Sequence, residues 1–237
     1  MWFITYYLLG LILIPGIIYA IVTQNKVQST FKTFSEINSE TGLTAKEACE
    51  RILQQSGITD VSIVKISGHL TDNYNPTNKT LSLSDSVYNS TSIASIGVAA
   101  HEAGHAIQHA EGYKFLKVRS GLIRLSNFMS NMLLPLIIIG VILSALAYTS
   151  IGSIFVIGGC VFFGISVIIS LVTLPVEFDA SKRALACLTS SCVLSPTEAK
   201  GAKQVLSAAA QTYVASLVVS VLSFLRFILS IVLTRQE

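Results

Sequence analysis

Two histidines and a glutamate at fixed spacing carry the chemistry: His101-Glu102-Ala103-Gly104-His105 is an H-E-x-x-H sequence. On an α-helix a spacing of four returns after about 400°, so both imidazoles leave one face about 6 Å apart along the axis. Two nitrogens can then share one metal ion. Glu102 cannot join them from that face, but its carboxylate can reach a water held in the metal's open position. The expected reaction is hydrolysis by metal-activated water, with His101 and His105 as ligands of Zn²⁺ and Glu102 as general base. Three of the four histidines in the chain, His101, His105 and His109, fall within nine residues. Scattered structural histidines do not cluster in this way.

A catalytic zinc takes three protein ligands and keeps a fourth position open, so one ligand must come from elsewhere in the chain. His109 lies about 12 Å from His101 along the same rigid helix, too far for one ion to hold both at about 2.0 to 2.1 Å. His69 stands alone and reads as structural. Two carboxylates, Glu177 and Asp179, follow an apolar block in Leu174-Pro175-Val176-Glu177-Phe178-Asp179. Two apart on a helix, they point to different sides, and only one is expected to face the metal. Lys182 and Arg183 offer either of them an ordinary ion pair instead. Tyr213 and Arg183 are candidate donors to the oxyanion.

These residues must be positioned by a membrane protein. The chain has 237 residues, 51% hydrophobic and 12% charged, too apolar for an ordinary soluble domain. The apolar residues form blocks at 2–22, 132–148, 151–174 and 213–233, each long enough or nearly so to cross about 30 Å of hydrocarbon. The first block lacks a positive n-region and exceeds the usual h-region of about 7 to 15 residues, so it reads as a retained anchor. Of 16 Lys and Arg, 14 lie within 26–124 and 182–203. By the positive-inside rule both stretches face the cytoplasm. The expected organisation is an anchor at 1–23, a cytoplasmic metalloprotease region at 24–130, a transmembrane hairpin at 131–174, a cytoplasmic helical segment with the third ligand at 175–211 and a last span at 212–237.

Inside the polar region, Thr44-Ala45-Lys46-Glu47 is a capping box and Gly57 a helix stop. Val61, Ile63 and Ile66 alternate as a strand, 71–78 is dense in turn formers, and Thr80-Leu81-Ser82-Leu83-Ser84 alternates as a second strand. Leu81 to Ser84 is the expected edge along which an extended substrate would pair. Ser90, Thr91 and Ser92 offer N-caps to the motif helix, which Gly112 ends. Ser195-Pro196-Thr197-Glu198 starts another helix that runs into the last span. Cys49, Cys160, Cys187 and Cys192 have neither C-x-x-C nor framework spacing and read as small apolar residues. A net charge of +3 is modest and spread along the loops, so nothing argues for a nucleic-acid partner.

With these residues in view, HEAGHAIQ (101–108), LPVEFDASKRA (174–184) and AKGAKQVLSAAAQTYVA (199–215) resemble the neutral zinc metallopeptidases of bacterial membranes, the YugP type. The second stretch also resembles the E-x-x-A-D ligand motif of HtpX-like membrane proteases. That resemblance implies Glu177 as third ligand and a gluzincin mechanism. Ala180 matches the pattern, but Ser181 stands where those enzymes have Asp, and Asp72-Asn73-Tyr74-Asn75-Pro76 stands where the family tends to carry D-H-Y-D-P.

The expectation is therefore a mainly α integral membrane protein. It has about four transmembrane helices and a small cytoplasmic α+β zincin-like metalloprotease region. Its function would be hydrolysis of peptide bonds in membrane or membrane-proximal proteins, with lipid bilayer and protein substrate as partners. The alternative is a non-catalytic membrane zinc protein, a sensor or scaffold, in which Glu102 has no task.

Overall fold

The computed structural model describes residues 9–126, 128 and 150–234. The expected span at 132–148 lies outside the described residues, as do the first eight residues of the anchor. The chain divides into two compact units, one of residues 1–21, 118–173 and 213–237, the other of 22–117 and 174–212.

The first unit is helical. A 3₁₀ turn, Leu9–Leu13, leads into helix α1 (Ile14–Ser35), where Pro15 sits in the first turn and removes no bond the helix would have made. Among the described residues it also holds a helical stretch at 118–126, the N-terminal part of α4 (Ser150–Ser190) and the C-terminal part of α5 (Pro196–Thr234). Among the described residues three helical segments are long and apolar enough to cross a membrane: Leu9–Ser35, Val161–Ser190 and Pro196–Leu229. Large apolar side chains on them point outward, Ile18 being 56% and Leu171 51% exposed, as a membrane-crossing helix would have them. Helix α1 approaches α5 closely through Gly16, where an added Cβ would lie 2.9 Å from Leu222.

The second unit is α+β. Helix α2 (Ala45–Gln55) starts at the Thr44 capping box: the Thr44 side chain accepts from the Glu47 amide, and the Glu47 carboxylate accepts from the Thr44 amide at 2.8 Å. It ends where Gly57 takes φ +71°, the left-handed backbone that glycine adopts freely. Ala48, Cys49, Ile52 and Leu53 bury one face of α2 in a core shared with helix α3 (Ile93–Ala110), whose N-cap is Ser92. Gly112, at φ +68°, follows the C-cap of α3.

Three strands, β1 (Ser62–Ile66), β2 (Asn73–Asn75) and β3 (Thr80–Ser84), form a sheet in the order β1-β3-β2. β1 runs parallel and β2 antiparallel to β3. Two expectations change here. Leu81 to Ser84 is not an edge: β3 is paired on both sides, and Leu81, Leu83 and Ser84 are completely buried. The stretch 71–78 is not all turn, because Asn73-Tyr74-Asn75 pairs with Thr80, Leu81 and Ser82. Asn and Pro are poor strand formers, so pairing with β3 rather than local propensity makes β2 a strand, and Pro76 is tolerated beside an edge.

Helix α4 runs through Pro175 to Ser190 rather than stopping where the apolar block ends. An internal proline removes one main-chain bond and crowds the preceding turn. Ala180, Ala184 and Leu188 on the continuing helix are fully buried, and Ala184 and Leu188 belong to the core that includes α3. That packing offsets the cost.

Candidate metal centre

Helix α3 presents His101 and His105 from consecutive turns, their rings 4.7 Å apart and nearly perpendicular at 80°. Glu177 reaches them from α4. Its Oε2 lies 3.1 Å from His101 Nε2 and 3.6 Å from His105 Nε2. The potential ligand atoms of the three residues all fall within 4.8 Å of one another. Tetrahedral zinc with bonds of about 2.0 to 2.1 Å separates neighbouring ligand atoms by about 3.4 Å, a value the two observed distances bracket. The donor set of two imidazoles and one carboxylate therefore fits the zinc expected from the sequence.

The helices must touch for this to happen, and Gly104 is the point of contact. A Cβ at Gly104 would stand 2.4 Å from the Ala180 carbonyl oxygen and 3.1 Å from its carbon, so α3 and α4 meet backbone to backbone. No residue larger than glycine fits here between His101 and His105.

Each imidazole also has a partner on its other nitrogen. His101 Nδ1 lies 3.1 Å from Ser181 Oγ, and His105 Nδ1 lies 3.0 Å from Gln108 Oε1. The serine that replaces aspartate in the HtpX-like pattern thus still reaches the histidine. Gln108 has no role in the sequence reading, yet its signal is present: 101, 105 and 108 share one helical face, so a polar side chain at 108 falls beside the two histidines. Ser181 had a similar signal, one turn after Glu177.

Asp179 does not face the histidines. It accepts from Gln108 Nε2 at 2.8 Å and from Arg183 Nε at 2.5 Å, while Arg183 Nη1 donates to Glu111 at 2.6 Å. Arg183 is thereby engaged away from the centre, and Tyr213 belongs to the other unit. His109 is also elsewhere: its Nδ1 lies 2.8 Å from the Tyr74 hydroxyl, tying α3 to β2. His69 stacks edge-on against Phe31 at 5.8 Å.

Glu102 is buried, 8% exposed, beside these groups. Burial pushes its carboxyl above the ordinary glutamate value, His101 and His105 pull it back, and the charges of Glu177 and Asp72 add to the rise. Burial would lower His105, but the Glu177 hydrogen bond and the Glu102 charge outweigh it and the net shift is upward. Asp72, which accepts from the Ser84 amide at 2.8 Å and from its hydroxyl, is likewise raised by burial.

No solved structure matches the chain. The chain is 40% identical over 215 residues, 90% of its own length and 92% of the relative's, to the "Putative membrane protease YugP" of Bacillus subtilis (strain 168). The family described as "Putative neutral zinc metallopeptidase" matches residues 9–232, so the chain belongs to that family.

Proposed function

We propose that the protein is a membrane-bound zinc endopeptidase of the gluzincin type that hydrolyses peptide bonds of membrane or membrane-proximal proteins. The observation that carries this is the convergence of His101 Nε2, His105 Nε2 and Glu177 Oε2 from two helices, with the Glu102 carboxylate buried beside them. His101, His105 and Glu177 would hold the metal. Bound zinc supplies a Lewis acid and draws the pKa of a coordinated water towards about 7. Glu102 accepts the proton of the attacking water and returns it to the leaving amine, work that suits a carboxyl raised by burial. Purified, detergent-solubilised protein should carry close to one zinc per chain and cleave an unfolded substrate such as casein. A chelator should abolish the cleavage and added zinc restore it. Metal-free protein with chelator-resistant cleavage would refute the reading.

The finer organisation is proposed with it: four spans, the regions 1–23, 24–130, 131–174, 175–211 and 212–237, and a site facing the cytoplasm. Its support is the concentration of 14 of 16 Lys and Arg in the two polar stretches. Asn78 lies exposed in the β2–β3 turn and makes a suitable reporter. In intact cells Asn78→Cys, in a chain whose exposed Cys192 is replaced by serine, should react with a membrane-impermeant maleimide only after permeabilisation. Labelling from outside would invert the topology.

A further inference from the structure

Gln108 is completely buried, and the direction of its amide follows from its neighbours. One end of that amide lies 2.8 Å from the Val176 carbonyl oxygen and 2.8 Å from Asp179 Oδ2. Both are acceptors, the second a carboxylate paired with Arg183, so only the NH₂ end can face them. The Gln108 carbonyl must then point at His105 Nδ1, 3.0 Å away. A carbonyl only accepts, so Nδ1 carries a proton, and in the neutral imidazole that a metal takes the lone pair is on Nε2, the nitrogen aimed at Glu177.

His101 differs, because its Nδ1 faces a serine hydroxyl that can donate or accept and so leaves either tautomer open. Of the two histidines, His105 alone is locked in the ligating form.

We propose that Gln108 is a positioning residue that fixes the tautomer and ring direction of His105, with Asp179 holding the Gln108 amide and Arg183 holding Asp179. The inference rests on the metal-binding reading above. An amide suits this post better than a carboxylate would, since Gln108→Glu would set a negative charge against Asp179 and the Val176 carbonyl. The relay ends at Glu111, 58% exposed, where Arg183 reaches the surface. Asp179 accordingly acts on the centre through Gln108 and not as a ligand.

The test uses full-length protein in detergent, with Co²⁺ as the probe: its dissociation constant by chelator competition and its d–d absorption band. Gln108→Met, which keeps the packing and removes the amide, should weaken Co²⁺ binding about 10 to 100-fold and alter the band. Asp179→Leu should weaken it too, whereas Asp179→Asn, whose carbonyl still accepts from Gln108, should restore parental affinity. The double variant Gln108→Met/Asp179→Leu should bind no more weakly than Gln108→Met alone, because the two residues act in series. Folded Gln108→Met with the parental constant and band overturns the proposal, as do losses that multiply in the double variant. Should Gln108→Met fail to fold, folded Asp179→Leu carries the test alone, and the parental constant and band there overturn the proposal equally. A parent chain that binds no Co²⁺ refutes the metal site itself, a result distinct from failure of the relay.

Discussion

Glu102→Gln is expected to keep the fold and the bound zinc while losing cleavage by several orders of magnitude. That exceeds the roughly 10² to 10⁴ usual for acid–base help, because here the nucleophile itself depends on the base. Glutamine has almost the same shape but cannot take a proton. Glu102 lies on the ligand helix without being one of the three convergent ligand groups, so metal content should not change. Stability gives an independent check. Burial raises the folded-state pKa of Glu102, which means that above this pKa its ionised form costs the fold free energy. In the metal-free protein, replacing it by a neutral side chain should leave the thermal midpoint at neutral pH equal or higher. Near-parental turnover in zinc-loaded Glu102→Gln would refute Glu102 as the general base, whereas a zinc-loaded parent without cleavage would favour the non-catalytic zinc protein.

The parts of the site legible in the sequence are those written at helical spacing. His101, His105 and Glu102 sit on α3 as a period of four requires, and Ser92, Gly112, Thr44 and Gly57 bound α3 and α2 through local backbone chemistry. What could not be read depends on which elements meet. Alternation in Thr80-Leu81-Ser82-Leu83-Ser84 shows two faces but says nothing of partners on either side, so it does not tell this central strand from an edge. Asn73-Tyr74-Asn75 has turn composition and becomes a strand only by pairing with β3. Spacing also left Glu177 and Asp179 open as alternatives, and a family likeness was needed to choose between them. The structure separates them by partner: Glu177 lies against the two Nε2 atoms, Asp179 against Gln108 and Arg183.

That separation leads to an expected result reached by two independent routes, one chemical and one geometric. Glu177→Ala should purify nearly free of zinc, because removing a ligand leaves two imidazoles and solvent. Asp179→Ala, which removes only a supporting carboxylate, should retain zinc at about 10 to 100-fold lower affinity. His109→Ala should retain it fully, since His109 bonds Tyr74 and not the centre. Gly104→Ala touches no ligand, yet its methyl would stand 2.4 Å from the Ala180 oxygen, where carbon contacts need about 3.5 Å. The atoms met are backbone, so α4 must withdraw by about 1 Å, taking Glu177 and Ser181 with it. Overpacking of this kind costs about 1 to 3 kcal/mol and should lower both the thermal midpoint and the zinc content. Gly97→Ala is the control on the same helix: its methyl would meet the Ala202 side chain at 3.4 Å, an ordinary contact, and both quantities should hold. Atomic emission on each purified variant reads the outcome. Zinc retained by Glu177→Ala would refute the ligand set, and full zinc in Gly104→Ala would show that close contact between α3 and α4 does not set the distance from Glu177 to the two histidines.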